Sequence, residues 1–560
     1  MRLFTKKMAS ELTEIGRAER SPFLSMKGKN SMDNTVTEKK RLRRADVRFI
    51  IIWAVAALIC AVHLIPPFDA DIINADSTYQ YFLTQKDFSE VLRLIPEDYS
   101  PPLYGVLLKL WTMAIGNSSL TAMRAFSMFP MAGMLFLAAF PIRKAFGEKA
   151  SIICTAFFTF SSLNFILVPE TRPVVLSYFL VTAAAVYCFL AFFYEYRYAY
   201  ICFTVFSVLA MYTHNIAMLG ILAFYVVAVL MSFFRKKYRQ TVKFIISGAV
   251  SGAVYIPWLF VVLRQFGNVK EHFWSSSSIS LRNIYDWSIG ESFNDGGAMV
   301  LSTCIIPLVI LITFGTLLIP RRNRERVKEL RSFRQIDRLI RETGSDTYIR
   351  ALFLLLIYVT PILFYIIFCT IGHPVYVPRY FYNFAGVALV IIAAFVSRFS
   401  GKGAVTALVA VSAINFGVTI SSWYNKLETS DFLSMIEMIR EDEQEKGTLS
   451  FVHAHEWSIG LMMYYFPEAN HYTADETWCV LVDYSLLPAD CINIGSFSNI
   501  GNHEKEAYFF DWEIEDSDGL QGMVLSNYFT ADEYTIEDLD YYCEPYTYKG
   551  CWHLEKVIRN

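Results

Sequence analysis

A polytopic helical membrane protein with a small α/β domain at its C-terminal end is the fold class this sequence predicts. Three observations carry it: 54% hydrophobic against only 18% charged residues, a succession of apolar runs of about twenty residues, and a change of pattern after Trp423. Soluble chains average roughly 45–50% apolar and about 25% charged residues, so this composition points to membrane embedding. At 560 residues the chain also exceeds what one core organises, and at least two domains are expected.

Spans are expected near 49–66, 122–142, 150–167, 174–194, 198–213, 215–233, 242–262, 299–319, 351–370, 382–398 and 403–421, about eleven helices of membrane-crossing length. The first apolar run begins near Phe49, after a long basic segment and with no small-residue cleavage site following. It reads as a retained anchor. Orientation follows from Lys and Arg. With the N-terminus inside, Arg143-Lys144, Arg235-Lys236-Lys237, Lys402 and the Arg321–Arg350 loop fall in the cytoplasm. The base-poor segments 67–121, 263–298 and 424–560 then lie outside. Three regions result: a basic cytoplasmic segment 1–48, a transmembrane domain 49–423 whose first external loop is 67–121, and an extracytoplasmic α/β domain 424–560.

The formal net charge of −2 hides an asymmetry. Residues 1–48 hold about a dozen Lys and Arg, whereas 425–560 hold about twenty more acidic than basic residues. That tail would repel nucleic acid and an anionic membrane surface. Within it, Asp431 to Glu445 reads as an amphipathic helix with Phe432, Met435, Ile436 and Ile439 on one face. Leu449–Val452, Cys491–Ile494, Tyr508–Trp512 and Trp552–Val557 read as strands. The aromatic clusters of the tail are expected in its core rather than on a glycan-binding surface. Segment 102–117, interrupted by Lys109, suits a helix lying in the membrane interface.

Of ten cysteines, Cys60, Cys154, Cys188, Cys202, Cys304 and Cys369 sit in or beside apolar runs and read as inert core. Cys479, Cys491, Cys543 and Cys551 lie in the tail, where an exported domain can oxidise them into as many as two disulfides, in three connectivities.

Charged residues at span ends point to chemistry, because charge facing the bilayer is costly. The first external loop carries Asp69, Asp71, Asp76 and Asp98, ahead of Pro101-Pro102 and the interfacial helix. A carboxylate held there can act as a general base on an acceptor hydroxyl. Arg124, Glu170, Arg172, His214, Arg264, His272 and Arg379 are expected at the same membrane face. Any one alone is an ordinary interface anchor. Several arginines together suit a lipid phosphate, which the planar guanidinium grips with two charge-assisted bonds.

Seven short pieces then agree in order and spacing. They are Asp76, SPPLYGVLLKLW (Ser100–Trp111), MRAFS (Met123–Ser127), PETRP (Pro169–Pro173), YTHN (Tyr212–Asn215), YIPW (Tyr255–Trp258) and PRYF (Pro378–Phe381). Through them the chain resembles the bacterial family-39-type glycosyltransferases, membrane enzymes of the GT-C fold related to protein O-mannosyltransferases and lipid A aminoarabinose transferases. The resemblance implies a polyprenyl-phosphate-linked sugar donor, hexosyl or pentosyl, and inverting transfer to an extracytoplasmic acceptor: a cell-envelope glycan, lipid or protein. It makes Asp76 the base that deprotonates the acceptor hydroxyl. Arg124, Arg172, His214 and Arg379 would hold the phosphate leaving group, and Glu170 would also bind substrate.

Three positions depart from the family pattern. Ser77 follows Asp76 where the family often has Glu, Ser100 stands where His often precedes the double proline, and Val174 replaces the Tyr that usually follows the Glu-x-Arg-Pro motif. They leave metal use and acceptor class open: no cofactor is certain, and a divalent metal is compatible. Asp98 is placed to replace one lost polar group and so joins the substrate-binding residues. Two other classes compete. A transporter or flippase of lipid-linked intermediates would favour charges near the bilayer midplane. A non-catalytic membrane sensor would use the outer domain for binding.

Overall fold

A computed structural model describes residues 71–97, 100–272, 279–292, 345–371, 376–399, 401–477, 491–516, 527–543 and 550–560, with short stretches within 47–62, 486–487 and 519–521. The chain divides into two units, Met1–Ile52 and Trp53–Asn560. The second unit holds the helices and strands from Ala75 to the C-terminus. Asp69, Asp98, Cys60, Cys304, Cys479 and the expected span 299–319 lie outside the described residues.

The first loop folds into α1 (Ala75–Gln85), α2 (Phe88–Leu94) and α3 (Leu103–Ile115). The side chain of Asn74 accepts from the Asp76 N–H at 2.8 Å and starts α1. Gly116, at φ 64°, closes α3 in the left-handed conformation that glycine adopts most cheaply. The segment expected to be helical thus forms α3, in which Tyr104, Leu108 and Thr112 are buried and Lys109 Nζ reaches back to the Thr84 carbonyl at 2.8 Å.

The membrane domain continues with α4 (Leu120–Leu137), which runs through a π-turn at Ala138–Ile142 to Phe146, and α5 (Glu148–Thr159). Then come α6 (Pro173–Tyr194), α7 (Arg197–Met211), α8 (Asn215–Phe234), α9 (Tyr238–His272), α10 (Leu281–Ser288), α11 (Ser345–Ile371), α12 (Tyr382–Phe399) and α13 (Lys402–Glu428). Among the described residues seven helices are long and apolar enough to cross a membrane, the stretches within α4, α6, α8, α9, α11, α12 and α13. The expected spans 150–167 and 198–213 appear as the shorter α5 and α7, and 49–66 is described only in part. The chain is a multi-pass membrane protein.

The ends of α4, α6 and α8 meet at a basic pole. Lys144 lies 4.1 Å over the Tyr196 ring, Lys237 is 3.2 Å from Glu195, and the Arg350 guanidinium stands 5.2 Å over Tyr194. These helices begin at the opposite pole, where the candidate site lies.

Helix α13 carries through the expected boundary at 423 into α14 (Asp431–Lys446), whose Phe432, Met435, Ile436 and Ile439 are buried as their spacing predicts. The soluble domain comprises β1 (Ser450–His453), α15 (Glu456–Tyr465), β2 (Asn470–Thr473), β3 (Ile492–Asn493), β4 (Glu506–Asp516), β5 (Gly519–Gln521), β6 (Tyr534–Tyr542) and β7 (Gly550–Arg559). The sheet order is β3-β2-β1-β4-β7-β6, with β5 paired to β4. β3, β2, β1 and β4 run parallel, and β7 and β6 add antiparallel. Parallel neighbours need a crossover, and α15 supplies it between β1 and β2. Alternation divides the sheet's faces: Phe451, Tyr508, Phe510 and Leu554 join the large core shared with the helices, and Val452, Tyr472, Phe509 and Val557 build a separate core with Phe497 and Phe529. The expected strands are all present, and the core reading of Tyr508–Phe510 holds.

Of the tail cysteines, Cys543 and Cys551 are disulfide-bonded across the β6–β7 hairpin, and Cys491 is half-buried. Alkylation of the denatured, unreduced protein is expected to spare Cys543 and Cys551. Cys543→Ser should cost the domain about 2–3 kcal/mol from loop entropy, read by denaturant unfolding.

Candidate active site

Asp76 stands in the first turn of α1, and its carboxylate Oδ2 lies 2.6 Å from Arg379 Nη2. Both side chains are largely sequestered, at 16% and 24% exposure. Arg172 Nη1 donates to the backbone carbonyl of Asp76 at 2.7 Å. The Ser77 hydroxyl donates to the Glu170 carbonyl. One turn of α1 is thus clasped by the 169–172 segment.

That segment is bent sharply. Thr171, fully buried between Glu170 and Arg172, has φ 48°. A β-branched residue in the left-handed region is strained, and such strain concentrates at functional sites. Arg379 comes from a 3-10 turn, Pro378–Phe381, just before α12. Tyr365 OH props that turn, accepting from the Val377 N–H at 2.9 Å. His214 caps α8 through Nδ1, which accepts from the Ile216 N–H at 3.1 Å, and its ring meets Tyr380 edge-on at 5.0 Å.

Arg124 is 1% exposed. It donates to the Pro169 carbonyl at 3.5 Å and to the Ile72 carbonyl, fastening together the two backbone segments that carry Glu170 and Asp76. Arg264, by contrast, pairs with Glu97 at 2.7 Å. The structure therefore brings Asp76, Glu170, Arg172, His214 and Arg379 together, with Arg124 behind them. Asp98 lies outside the described residues.

The two buried carboxyls are driven apart. Burial pushes Asp76 up, but Arg379 and then Arg172 outweigh it and hold the carboxyl below the usual range. Burial raises Glu170 from its ordinary 4.5 to about 7, assisted by the Asp76 charge and opposed by Arg379 and Arg172. Environments that split a carboxyl pair in this way define its acid and base roles. Burial, with Arg172 and Arg379, also lowers His214 to about 3, so its imidazole is neutral. Because folding raises Glu170, its contribution to stability is complete below pH 4.5 and is lost as pH rises through about 7. Glu170→Gln is expected to flatten the decline in thermal stability over that window, read by melting at stepped pH.

The soluble domain reaches this site. Tyr464 OH donates to the Asp71 carboxylate at 2.7 Å, Tyr465 OH donates to the Asp71 carbonyl at 2.9 Å, and Arg440 stands 3.7 Å from the same carboxylate. His455, the N-cap of α15, couples electrostatically to Asp76. Burial nonetheless lowers His455 to about 3. Nothing local in AHEW marks that histidine as a site residue; only docking of the two domains does. Among the described residues no group of three or more His, Cys, Asp or Glu is arranged to hold a metal, and Asp76 faces a guanidinium instead.

Helices whose charged starts converge on one pole, a structured first loop bearing Asp76, and a terminal α/β domain packed against that loop make up a GT-C-type fold. The structure of ArnT from Cupriavidus metallidurans in the apo state is similar, with a TM-score of 0.58 at 11% identity over 90% of this chain and 97% of that one. The same protein bound to undecaprenyl phosphate gives 0.55 at 10% identity over the same shares. An Archaeoglobus fulgidus oligosaccharyltransferase in complex with Zn and sulfate gives 0.42 at 12% identity, over 75% of this chain and 61% of that one. No family model and no curated protein matches the sequence.

Proposed function

We propose that this protein is an inverting glycosyltransferase that moves a monosaccharide from a polyprenyl phosphate to a hydroxyl acceptor outside the cytoplasm. The observation that carries the reading is Asp76 kept ionised beside Arg379 and Arg172, where α4, α6, α8 and α12 all begin. Helix N-termini favour anions, so guanidiniums and dipoles together suit a phosphate monoanion or dianion. The shared fold of a protein solved with undecaprenyl phosphate supports a donor of that kind.

The chemistry balances without a cofactor. Asp76 removes the proton of the acceptor hydroxyl, whose oxygen attacks the anomeric carbon. The new C–O bond forms as the bond from that carbon to the phosphate oxygen breaks, and its electron pair leaves with the polyprenyl phosphate. Arg379 and Arg172 stabilise the charge that develops there. Glu170 holds a proton near neutral pH beside the same groups, so it can donate a hydrogen bond to a donor oxygen without adding a third negative charge.

Orientation belongs to the same reading. The basic pole lies in the cytoplasm by the distribution of Lys and Arg, which leaves the site and residues 424–560 outside. The Cys543–Cys551 disulfide supports this, because such bonds persist in oxidising compartments. A flippase would hold its charges near the bilayer midplane, whereas these lie at helix starts.

The test uses purified chain in nanodiscs with a pool of undecaprenyl-phosphate hexoses and pentoses and a cell-envelope extract. Acceptor-dependent release of undecaprenyl phosphate is the expected result. No release with any donor in the pool would overturn the reading.

A further inference from the structure

The turn that presents Arg172 is not one its own residues favour. The chain leaves the helical turn Asn164–Leu167 and enters α6 at Pro173. A proline disfavours a helical residue before it, and Arg172 is extended, at φ −109° and ψ 160°. The reversal therefore falls on Thr171, at φ 48°. Glycine takes that conformation cheaply, whereas a β-branched residue does not. Its hydroxyl offers no compensation: Thr171 Oγ1 is buried and meets no hydrogen-bond partner among the described residues.

A strained residue persists only where its surroundings over-determine it. Upstream, the Glu170 N–H donates to the Ile166 carbonyl at 3.3 Å, and Arg124 Nε donates to the Pro169 carbonyl at 3.5 Å. Downstream, Arg172 Nη1 is tied to the Asp76 carbonyl at 2.7 Å. The last tie holds the peptide between Glu170 and Thr171 itself. Its carbonyl accepts from the Ser77 hydroxyl, and Ser77 is fully buried. With Arg172 fixed downstream, any rotation about φ of Thr171 swings this peptide and breaks that bond.

The same bond accounts for Ser77 standing where the resembled family often has Glu. An ionised Glu can only accept, and at this position it would set a carboxylate against a carbonyl oxygen. A hydroxyl can donate. The two ties are also reciprocal: α1 gives the Ser77 hydroxyl to the turn, and the turn gives the Arg172 guanidinium to α1.

We infer that Ser77 and Thr171 are positioning residues of the transfer site: the Ser77 hydroxyl locks the left-handed turn at Thr171, and that turn holds the Arg172 guanidinium against the turn of α1 that carries Asp76. Both act through Arg172. Base and phosphate-binding arginine then move as one piece. This role rests on the transferase reading above and names the residues that keep its geometry.

A double-mutant cycle tests it. Ser77→Ala deletes the bond and frees a strained turn to relax. Adding Thr171→Gly removes the reason to relax, because glycine holds a positive φ without steric cost. Ser77→Ala in nanodiscs should bind undecaprenyl phosphate at least about threefold more weakly, the worth of a modest hydrogen bond. Its transfer from the undecaprenyl-phosphate sugar pool should fall at least about tenfold, since a small misplacement at a reacting centre is costly. Burial is opposed at Asp76 by Arg379 and then Arg172, so the acid limb of transfer should move upward. The double variant should recover affinity, rate and acid limb together. Loss of folded protein alone would lower amplitudes and move neither affinity nor acid limb. Losses in the double variant equal to or greater than those of Ser77→Ala, or wild-type affinity and acid limb in Ser77→Ala, would overturn the inference and leave the transferase reading standing. Lipid-phosphate affinity that follows the cycle in a chain that transfers no sugar would remove the transferase reading and keep the role of the turn in holding Arg172.

Discussion

Asp76→Asn is expected to lower sugar transfer by about 10²–10⁴-fold, the usual contribution of a positioned general base, while undecaprenyl phosphate still binds. Asn keeps the volume and accepts the Arg379 hydrogen bond, so the protein should fold and the loss should fall on kcat. The pH profile checks the assignment. A base must be ionised, and Arg379 with Arg172 holds Asp76 below the ordinary carboxylate range. The acid limb of wild-type transfer should therefore lie below the pH at which an unperturbed Asp titrates. The same depression makes Asp76 stabilising above its unfolded pKa, a contribution lost as pH falls through the lower folded value. Full transfer by Asp76→Asn would sink the catalytic assignment outright.

How much of this was legible depended on the physical length scale involved. Membrane helices announce themselves within about twenty residues, and α4, α6, α8, α11 and α12 fall where apolar runs place them. Strands β1, β4 and β7 were equally legible, as short apolar runs with aromatic and β-branched content. β6 was not, because YTIEDLDYY is an acidic, largely exposed edge strand. Neither was α15: EWSIGLMMYY is buried almost all round, so it shows no helical periodicity. In the site, Asp76, Arg172 and Arg379 stood out because charge at a span end is expensive. Thr171 and His455 carried no such signal. The strain at Thr171 exists only in the folded backbone, and the electrostatic coupling of His455 to Asp76 exists only once the soluble domain docks through Gly460 and Asp71.

The role of Arg124 shows the same limit from the other side. Sequence grouped it with the phosphate arginines, and it does lie at their pole. Its side chain is enclosed between the Ile72 and Pro169 carbonyls, which makes it the brace for the two segments that hold the carboxyls. Charge type and membrane depth predict where an arginine sits. They do not predict which of its five donors are already engaged.

Arg379→Ala should be the second severe variant, and for a different reason. It removes the 2.6 Å partner of Asp76 and leaves a largely sequestered carboxylate without its closest charge. Removing one member of such a pair costs about 3–5 kcal/mol when the other stays buried, equivalent to more than a hundredfold in an equilibrium. Two effects can be measured. The acid limb of transfer should move upward, because the largest influence opposing burial at Asp76 is then gone. Undecaprenyl phosphate should also bind at least about tenfold more weakly, because a charge-assisted contact to phosphate is lost. Arg379→Lys separates the two: it keeps the charge, and so keeps most of the pH profile, but lacks the planar fork that spans carboxylate and phosphate together. A Lys variant with normal lipid affinity and normal turnover would mean that Arg379 serves Asp76 only as a counter-ion, and the phosphate would then have to be held by Arg172 and the helix starts.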